Sequence, residues 1–423
     1  MVEKSVIKTV LLEGFPEKKL VKRDKKLVDV GKIYSIIGPR RSGKTYFLFE
    51  IIYSLLKKKI DKTQILYLNF EDERLRDLNV DDLQKILDSY YELYPHNTSK
   101  KVYCFFDEIQ NVPYWQKFVR RLYSTENYEI YITRSSAKLL SKEIATELRG
   151  RTWDYNMFPF SFKEYLDALE ISVDNKITHS KERYTLKNHF DRYLKIGGFP
   201  EVIKQDDYSR ARILQNYFDV VLFRDLIERY NLPQPDLVKN TLYYLLNNFS
   251  RFFSVNKYYN FLKSQGRKVT KDPLYDLINY IETTMYFFFV PLYTDSEKKR
   301  VVNPKKIYIV DNGLVNALLN KEAQEKGWYY ENQVFLELKR REYDLFYYSG
   351  EKECDFIAIK HNEKKAIQVT LSPELDREKI GLLDAMDKLN LKEGLIITDD
   401  IEKVETVKGK KIKYVPLWLW LLE

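Results

Sequence analysis

The sequence predicts an α/β fold that begins with a parallel sheet. Short β-branched apolar runs alternate with helix-periodic segments over roughly the first third of the chain. A glycine-rich loop joins one of these runs to a helix, and a pair of acidic residues follows another. With 423 residues the chain exceeds one ordinary core, and about 100–200 residues per domain gives two to four domains.

The composition is that of a globular protein. Hydrophobic residues make up 44% and charged residues 31%, which excludes a disordered chain. No apolar run reaches the roughly 18 residues that span a bilayer, and the N-terminal residues lack the apolar core of a secretory signal. We therefore expect a cytoplasmic protein without a membrane partner. The abundance of Lys, Glu, Ile and Tyr is typical of thermophile proteins.

Charge and cysteine content narrow the possible binding partners and kinds of site. The formal net charge is +9 and the pI is near 9.0, which indicates an anionic partner, although nucleic acid, anionic lipid and simple solubility all agree with it. Cys104 and Cys354 are the only cysteines, so a disulfide framework and a cysteine metal site are excluded. We expect both to be small buried residues.

The glycine-rich loop carries the first chemical motif. Residues 38–45 read GPRRSGKT and match the pattern GxxxxGK[ST], between an apolar run and a helix-periodic segment. The glycines let backbone N–H groups turn towards phosphate oxygens, while Lys44 reaches the β- and γ-phosphates and the Thr45 hydroxyl ligates Mg²⁺. The sequence therefore predicts a site for ATP and Mg²⁺ formed by Gly38, Pro39, Arg40, Arg41, Ser42, Gly43, Lys44 and Thr45.

A pair of carboxylates follows the apolar run at 102–106. Asp107 is expected to hold Mg²⁺ through water, and Glu108 to polarise the attacking water as general base. The alternative is a solvated strand end. Another strand candidate, residues 64–69, lies between the loop and this pair. That spacing places the first module in the P-loop branch whose catalytic glutamate adjoins the magnesium aspartate.

Two further positions are candidates for contact with the γ-phosphate. Ser135 follows the strand candidate 128–133, where a polar residue can sense this phosphate; the alternative is a helix N-cap. Arg149 and Arg151 precede the strand candidate 153–158. A guanidinium there could stabilise charge on the transferring phosphoryl group, in cis or from a neighbouring subunit, or it could lie on a solvated turn.

Several motifs in order resemble those of archaeal AAA-type ATPases of the AAA_14 and DUF4143 kind. They are GPRRSGKT, NFEDERL, FFDEIQNVPYWQKFVRRLY, ITRSSAKLLSKEIATELRGR and MFPFSFKEYL, continued by GGFPEV, LFRDLIERY and IYIVDNGL. The resemblance covers nearly the whole chain and implies an AAA+ type ATPase core at 1–160, a helical lid at 161–235, a winged helix at 236–322 and a PD-(D/E)xK nuclease-like domain at 323–423. This family usually has Gly where Arg134 stands, so Arg134 could contact phosphate or block the backbone approach.

Periodicity alone also favours a winged helix in the middle of the chain. Helical stretches at 236–249, 254–264 and 271–282 precede strand-like runs at 286–293 and 306–310. In that arrangement Lys271–Tyr280 would enter a major groove, and the basic turn Lys298–Arg300 would form a wing on phosphate. The alternative is a domain used for packing or protein contacts.

The C-terminal residues match the order of a restriction-endonuclease-like site. Glu331 lies in a helix-like run, and Asp355 and Gln368 lie on strand candidates at 353–359 and 365–370. Such sites need oxygen ligands for Mg²⁺ and a lysine, but Thr370 stands where the lysine is expected. We therefore expect a nuclease-like fold with lost or weak cleavage. The basic runs Lys339–Arg341 and Lys408–Lys411 could grip a phosphate backbone or form solvated faces.

Three functions follow from these features. The preferred hypothesis is an ATPase that couples its nucleotide state to binding or remodelling of duplex or branched DNA, held mainly through phosphates. A second is a nucleotide-controlled regulatory or scaffolding protein that acts on a protein partner. A third is an ATP-assisted, Mg²⁺-dependent nuclease. The sequence leaves open whether the chain forms a homo-oligomer.

Overall fold

A parallel sheet organises the N-terminal part of the chain, as predicted. The computed structural model describes residues 2–79, 81–125, 127–135, 148, 150–173, 182–319, 326–371 and 376–423. The chain divides into two compact units, Met1–Met157 and Phe158–Glu423.

The sheet of the first unit runs in the order β2-β3-β4-β1-β5, with every neighbouring pair parallel. Its strands among the described residues are β1 Ile33–Ile37, β2 Ile65–Asn69, β3 Val102–Asp107, β4 Tyr128–Arg134 and β5 Thr152–Asn156. Parallel strands end at the same edge of a sheet, so the loop after β1, the carboxylates after β3 and the residue after β4 converge there. The predicted α/β fold is confirmed.

Helices cover both faces of this sheet, which explains its continuous apolar strands. The described helices are α1 Lys4–Glu13, α2 Lys44–Lys57, α3 Leu83–Leu93 and α4 Trp115–Tyr123. Leu66 and Phe106 face a core shared with α1, α3 and α4, whereas Tyr67 and Phe105 face α2 on the other side. This alternation follows the two-residue period of a strand.

The second unit is rich in helices. They are α5 Phe162–Ala168, α6 Glu182–Ile196, α7 Asp207–Val220, a π-helix at Val221–Glu228, α8 Pro235–Asn247, α9 Val255–Ser264, α10 Lys271–Thr283, α11 Glu297–Val302, α12 Asn312–Leu319, α13 Lys326–Arg340, α14 Asp376–Lys388 and α15 Leu417–Trp420. Throughout the described ranges, no helix combines the length and apolar character needed to cross a bilayer.

A small antiparallel sheet, the middle sheet, lies among these helices. It consists of β6 Phe252–Phe253, β7 Phe287–Val290 and β8 Lys305–Ile309 in the order β6-β8-β7. The predicted helices at 236–249, 254–264 and 271–282 are confirmed as α8, α9 and α10. The predicted basic turn Lys298–Arg300 is wrong, because these residues lie in α11. The Ser296 side chain caps that helix, and Arg300 bonds Glu297 and the Thr294 carbonyl.

A mixed sheet, the C-terminal sheet, occupies the end of the chain. Its strands are β9 Asp344–Ser349, β10 Glu353–Lys360, β11 Glu363–Val369, β12 Glu393–Thr398, β13 Lys403–Val407 and β14 Lys410–Pro416, in the order β13-β14-β12-β11-β10-β9. The register of β10 on β9 shifts between Cys354 and Ile357, which places a bulge at Asp355. Cys354 here and Cys104 in β3 are both buried, as expected.

Four members of the basic runs, for which phosphate binding and a solvated face were the alternatives, have partners within the second unit. Arg340 donates to the carbonyl oxygens of Pro159 and Phe160, at 3.1 and 3.3 Å. Arg341 donates to Glu337 and to the Trp420 carbonyl, which ties α13 to the buried C-terminal helix. In the other run, Lys410 and Lys411 form ion pairs with Asp387 and Glu393.

Candidate functional site

The loop between β1 and α2 has a backbone that its sequence requires. A Cβ on Gly38 would lie 2.1 Å from the Met157 carbonyl oxygen, so only glycine fits. Gly43, the residue before α2, has φ 97°, and Arg41 has φ 65°, both in the left-handed region. The loop therefore curls tightly over the end of β1 before the helix begins.

Arg23 holds this loop from outside the motif. The buried Arg23 guanidinium donates to the Ser42 carbonyl oxygen at 2.9 Å, and the Arg23 backbone N–H donates to Glu50 in α2 at 3.1 Å. The Ser42 hydroxyl is buried and has no hydrogen-bond partner among the described residues. A buried polar group without a partner points to a missing ligand, so the loop fits a phosphate group. On the exposed side of the loop, Arg40 pairs with Glu71 at 3.2 Å.

Lys44 connects the loop with the end of β3. Its side chain is only 4% exposed. Its Nζ donates to the Pro39 carbonyl oxygen at 3.1 Å and lies 3.3 Å from Glu108 Oε1. The ammonium is thus held at the mouth of the loop by one carbonyl and one carboxylate.

Asp107 is buried at the end of β3 and has hydroxyl groups around it. It accepts hydrogen bonds from Thr133 and Thr45, and from the Tyr67 hydroxyl at 3.4 Å. Burial raises the pKa of Asp107 to about 6, with a further increase from the charge of Glu108; the threonine hydrogen bonds oppose both effects. Asp107 and Thr45 therefore present adjacent oxygen atoms suited to Mg²⁺.

Glu108 adopts a left-handed backbone, with φ 52°, immediately after Asp107. Its N–H donates to the Thr133 hydroxyl at 2.8 Å, and its carboxylate accepts a bond from the Gln110 side-chain amide. Burial alone would raise the pKa of Glu108, but the charge of Lys44 and the Gln110 hydrogen bond outweigh it and lower the pKa. Glu108 is consequently ionised and can accept a proton.

Ser135 lies beside this carboxylate network. Gln110 Nε2 donates to the Ser135 hydroxyl at 3.4 Å as well as to Glu108. The geometry therefore brings Ser135 together with the predicted general base through one intervening side chain. The alternative role of Ser135, as a helix N-cap, concerns residues from 136 onwards, which lie outside the described residues.

Comparison with known proteins identifies the family of this chain. Residues 30–166 match the family described as an AAA domain, and residues 187–325 match a domain of unknown function. The uncharacterized protein MJ1544 of Methanocaldococcus jannaschii is 34% identical, over 100% of this chain and 96% of that protein. The chain belongs to the AAA-type P-loop ATPase family. A Haemophilus influenzae protein, also uncharacterized, is 32% identical over 92% of this chain and 95% of its own.

Similar solved structures overlap this chain only loosely. Caenorhabditis elegans PCH-2 has 15% identity and a TM-score of 0.26, over 66% of this chain and 65% of that one. A DNA polymerase III gamma subunit-related protein of Thermotoga maritima has 13% identity and a TM-score of 0.27, over 60% and 96%. These TM-scores are too low for the overlaps to support a conclusion.

The arginine that departs from the usual family pattern turns away from the phosphate loop. Arg134 Nε donates to the Ser35 hydroxyl in β1 at 3.1 Å, and Arg134 Nη2 lies 3.3 Å from Asp154 Oδ1 in β5. Both partners precede the ends of their strands. The Arg134 side chain therefore braces β4, β1 and β5 within the first unit, and contact with phosphate stays one of its two predicted roles.

Arg149 and Arg151 were both predicted to stabilise charge on the transferring phosphoryl group. Arg149 lies outside the described residues. Arg151 stands just before β5 and accepts a backbone bond from Ile33 at the start of β1, and its guanidinium donates to the Ser124 hydroxyl at 3.3 Å. It thus lies at the sheet edge opposite the loop, which contradicts a role in cis; a role in trans stays a prediction.

Sequence reasoning missed the residues that support this site, namely Arg23, Tyr67, Gln110 and Thr133. Thr133 and Gln110 could have been found from the sequence, because each is a polar residue within three positions of a predicted site residue at a strand end. Arg23 had none, because it lies 15 residues ahead of the motif in a segment without periodicity.

The C-terminal candidates also come together, around a lysine that the sequence did not indicate. Lys306 Nζ in β8 lies 2.8 Å from Asp355 Oδ1 and 3.0 Å from Glu331 Oε1, and it also pairs with Glu353. Gln368 accepts a bond from the Asp355 N–H at 3.2 Å and donates to Glu378. We call Lys306, Glu331, Glu353 and Asp355 the lysine cluster.

The four residues of the lysine cluster form part of the lining of a pocket of about 450 Å³. Burial raises the pKa of Glu331 to about 7. Burial also disfavours the Lys306 ammonium, but the charges of Asp355 and Glu331 outweigh it and raise the pKa of Lys306 well above its ordinary value. The Mg²⁺ implied by the nuclease resemblance does not fit here, because this ammonium fills the space between Glu331 and Asp355. Over the described ranges, no group of three or more His, Cys, Asp or Glu residues is arranged to hold a metal ion.

Proposed function

We propose that the first unit binds ATP with Mg²⁺ and hydrolyses it. The observation that carries this proposal is the contact of Lys44 with Glu108 beside the Asp107 and Thr45 oxygens, at the mouth of a loop whose Ser42 hydroxyl lacks a partner. Lys44 would bind the β- and γ-phosphates, and Thr45 and Asp107 would hold Mg²⁺, which supplies positive charge to the phosphate oxygens.

The carboxylate network assigns the remaining roles. Glu108 would accept the proton of the attacking water, with its position maintained by the Thr133 hydroxyl and the Gln110 amide. Ser135, which shares Gln110 with Glu108, would contact the γ-phosphate. Arg149 or Arg151 of a neighbouring subunit would stabilise charge on the transferring phosphoryl group, so full activity would need a homo-oligomer.

We further propose that nucleotide state controls DNA binding by the later domains: a lid at 161–235, a winged helix at 236–322 and a nuclease-like domain at 323–423. The supporting observations are the net charge of +9 and the order of α8, α9 and α10 before the antiparallel strands β7 and β8. Duplex or branched DNA would be held chiefly through phosphates, so affinity should fall steeply with salt.

The test is ATP turnover with and without duplex, single-stranded and branched DNA at two salt concentrations. Stimulation by duplex or branched DNA that weakens at the higher salt concentration is expected. Turnover that no DNA changes, together with an absence of DNA binding at low salt, would reject the coupling while leaving the ATPase proposal intact.

A second candidate function is nucleotide-controlled action on a protein partner. It is favoured by the internal engagement of Arg300, Arg340 and Arg341, basic groups that the DNA hypothesis would place on phosphate. In this case DNA leaves turnover unchanged, whereas a protein partner recovered from the native host alters it in proportion to its concentration.

A further inference from the structure

The lysine cluster places a positive charge where a nuclease-type site would place its metal. We propose that the Lys306 ammonium stands in for a divalent cation, so that the C-terminal sheet retains an acidic site that is neutralised from within and takes up no metal. The inference is independent of the proposed ATPase, because every residue involved belongs to the second unit.

Strand β8 and helix α13 hold the lysine in register with the acids. The Asn332 side chain on α13 accepts from the Ile309 N–H at 2.8 Å and donates to the Ile309 carbonyl at 3.0 Å, as a neighbouring strand would. Tyr308, two residues after Lys306, donates to Glu331 Oε1 at 2.6 Å and stacks on Phe335. Lys306 and Tyr308 lie on the same face of β8, so both side chains reach Glu331.

The bulge in β10 fixes the second acid. At this bulge the Asp355 N–H bonds the Gln368 side chain on β11 rather than a backbone carbonyl, and bulges commonly re-aim a side chain. Asp355 Oδ1 then accepts from Lys306, and Asp355 Oδ2 accepts from the Val369 N–H at 2.9 Å. Both oxygens of this carboxylate are therefore engaged by the protein.

The charge and the space between Glu331 and Asp355 determine whether a lysine or a metal ion can occupy this site. Buried carboxylates without a cation are strongly unfavourable, and Lys306, itself 3% exposed, supplies that cation. A Mg²⁺ or Mn²⁺ ion would need oxygens at about 2.0–2.2 Å on the same inner side of Glu331 and Asp355. The ammonium occupies that side, so metal and lysine exclude each other.

The experiment compares Mn²⁺ binding and thermal unfolding in four proteins: the native chain, Lys306→Met, Lys305→Met and the double variant Lys306→Met with Asp355→Asn. Lys305 is the matched control, since it is the neighbouring lysine on the same strand and lies outside the cluster. Lys306→Met should bind one Mn²⁺ at least about tenfold more tightly than the native chain, because a competing positive charge is gone. Mn²⁺ should raise its melting temperature, and Asp355→Asn should abolish both effects.

Other results overturn the proposal. Native protein that binds Mn²⁺ as tightly as Lys306→Met, and loses it on Asp355→Asn, would show that metal and lysine share the site. A folded Lys306→Met protein that takes up no Mn²⁺ would show that the lysine replaces nothing. If Lys306→Met folds poorly, Lys306→Gln provides a neutral side chain of similar length. The native chain and its Asp355→Asn variant, incubated with plasmid DNA and Mg²⁺, give a separate check: cleavage dependent on Asp355 contradicts the inference.

Discussion

Both units contain a buried lysine among carboxylates, yet the two lysines are held in different ways. Lys44 bonds one carbonyl oxygen and lies 3.3 Å from one carboxylate, beside a loop whose Ser42 hydroxyl has no described partner. Lys306 pairs with Glu331, Glu353 and Asp355, and its neighbours bond these acids in turn. A lysine with weak, replaceable partners is ready for an anionic ligand, whereas a lysine saturated by acids serves the fold.

The largest effect on activity is expected when Glu108, the proposed base beside Lys44, is replaced. Glu108→Gln keeps the shape of the side chain but cannot accept a proton, so kcat should fall by about 10²–10⁴-fold while the ATP dissociation constant changes little. Single-turnover hydrolysis and equilibrium ATP binding measure the two effects. Glu73→Gln, an exposed change in the same unit, is the control. Native turnover in Glu108→Gln would show that Glu108 is not the base.

The next test removes the ammonium itself. Lys44→Ala should weaken ATP binding by about 100-fold, since a buried charge that meets the phosphates is lost. Lys57→Ala, at the exposed end of the same helix, should bind ATP normally. A loss of less than about tenfold in Lys44→Ala would mean that this lysine is as structural as Lys306.

A smaller effect is expected at the amide that links Glu108 with Ser135. Gln110→Ala should lower kcat by about tenfold and leave KM nearly unchanged, because Gln110 positions the general base without contacting ATP. Steady-state kinetics give both values, with the exposed Gln84→Ala as control. A rise in KM with native kcat would assign Gln110 to nucleotide binding instead.

The last prediction concerns stability rather than activity, at the buried carboxyl group of Asp311. Asp311 accepts bonds from the Gly198 and Gly313 N–H groups, and burial raises its pKa to about 7 despite them. Because the folded pKa exceeds the unfolded value, this group makes the free energy of unfolding fall as pH rises from about 4 to 7.

Asp311→Asn should remove that pH dependence, which amounts to roughly 1 kcal/mol for each pH unit in this range. Thermal unfolding of the second unit at pH 5 and pH 7 measures it, with the exposed Asp295→Asn as control. An identical pH dependence in Asp311→Asn and the native chain would contradict the assignment.

Sequence reasoning predicted the first unit well because its site is local and its sheet is regular. The loop at 38–45 is contiguous, and parallel strands bring Asp107 and Ser135 to the edge where that loop lies. The partners of Arg134 could not be predicted, because only the strand order shows that Ser35 and Asp154 lie within its reach.

The lysine cluster was only partly predictable. The order of Glu331, Asp355 and Gln368 indicated that they meet. Lys306, however, lies 25 residues ahead of Glu331, on a strand of the middle sheet. A side chain that pairs with a backbone, as Asn332 does with Ile309, and a bulge at Asp355 set the geometry, and neither has a periodic signature. The wing at Lys298–Arg300 failed for a local reason, since the serine that caps α11 was not recognised as a helix start.

The bond from Arg23 to the Ser42 carbonyl has a practical consequence for protein engineering. The region that matches an AAA domain starts at residue 30, so a fragment trimmed to it would retain every residue of the GxxxxGKT motif and discard the guanidinium that braces it. Such a fragment would also lack α1, whose Ile7, Val10 and Leu11 belong to the core on one face of the sheet, and we expect it to bind ATP poorly. Expression boundaries for the isolated first unit should therefore begin well upstream of Arg23.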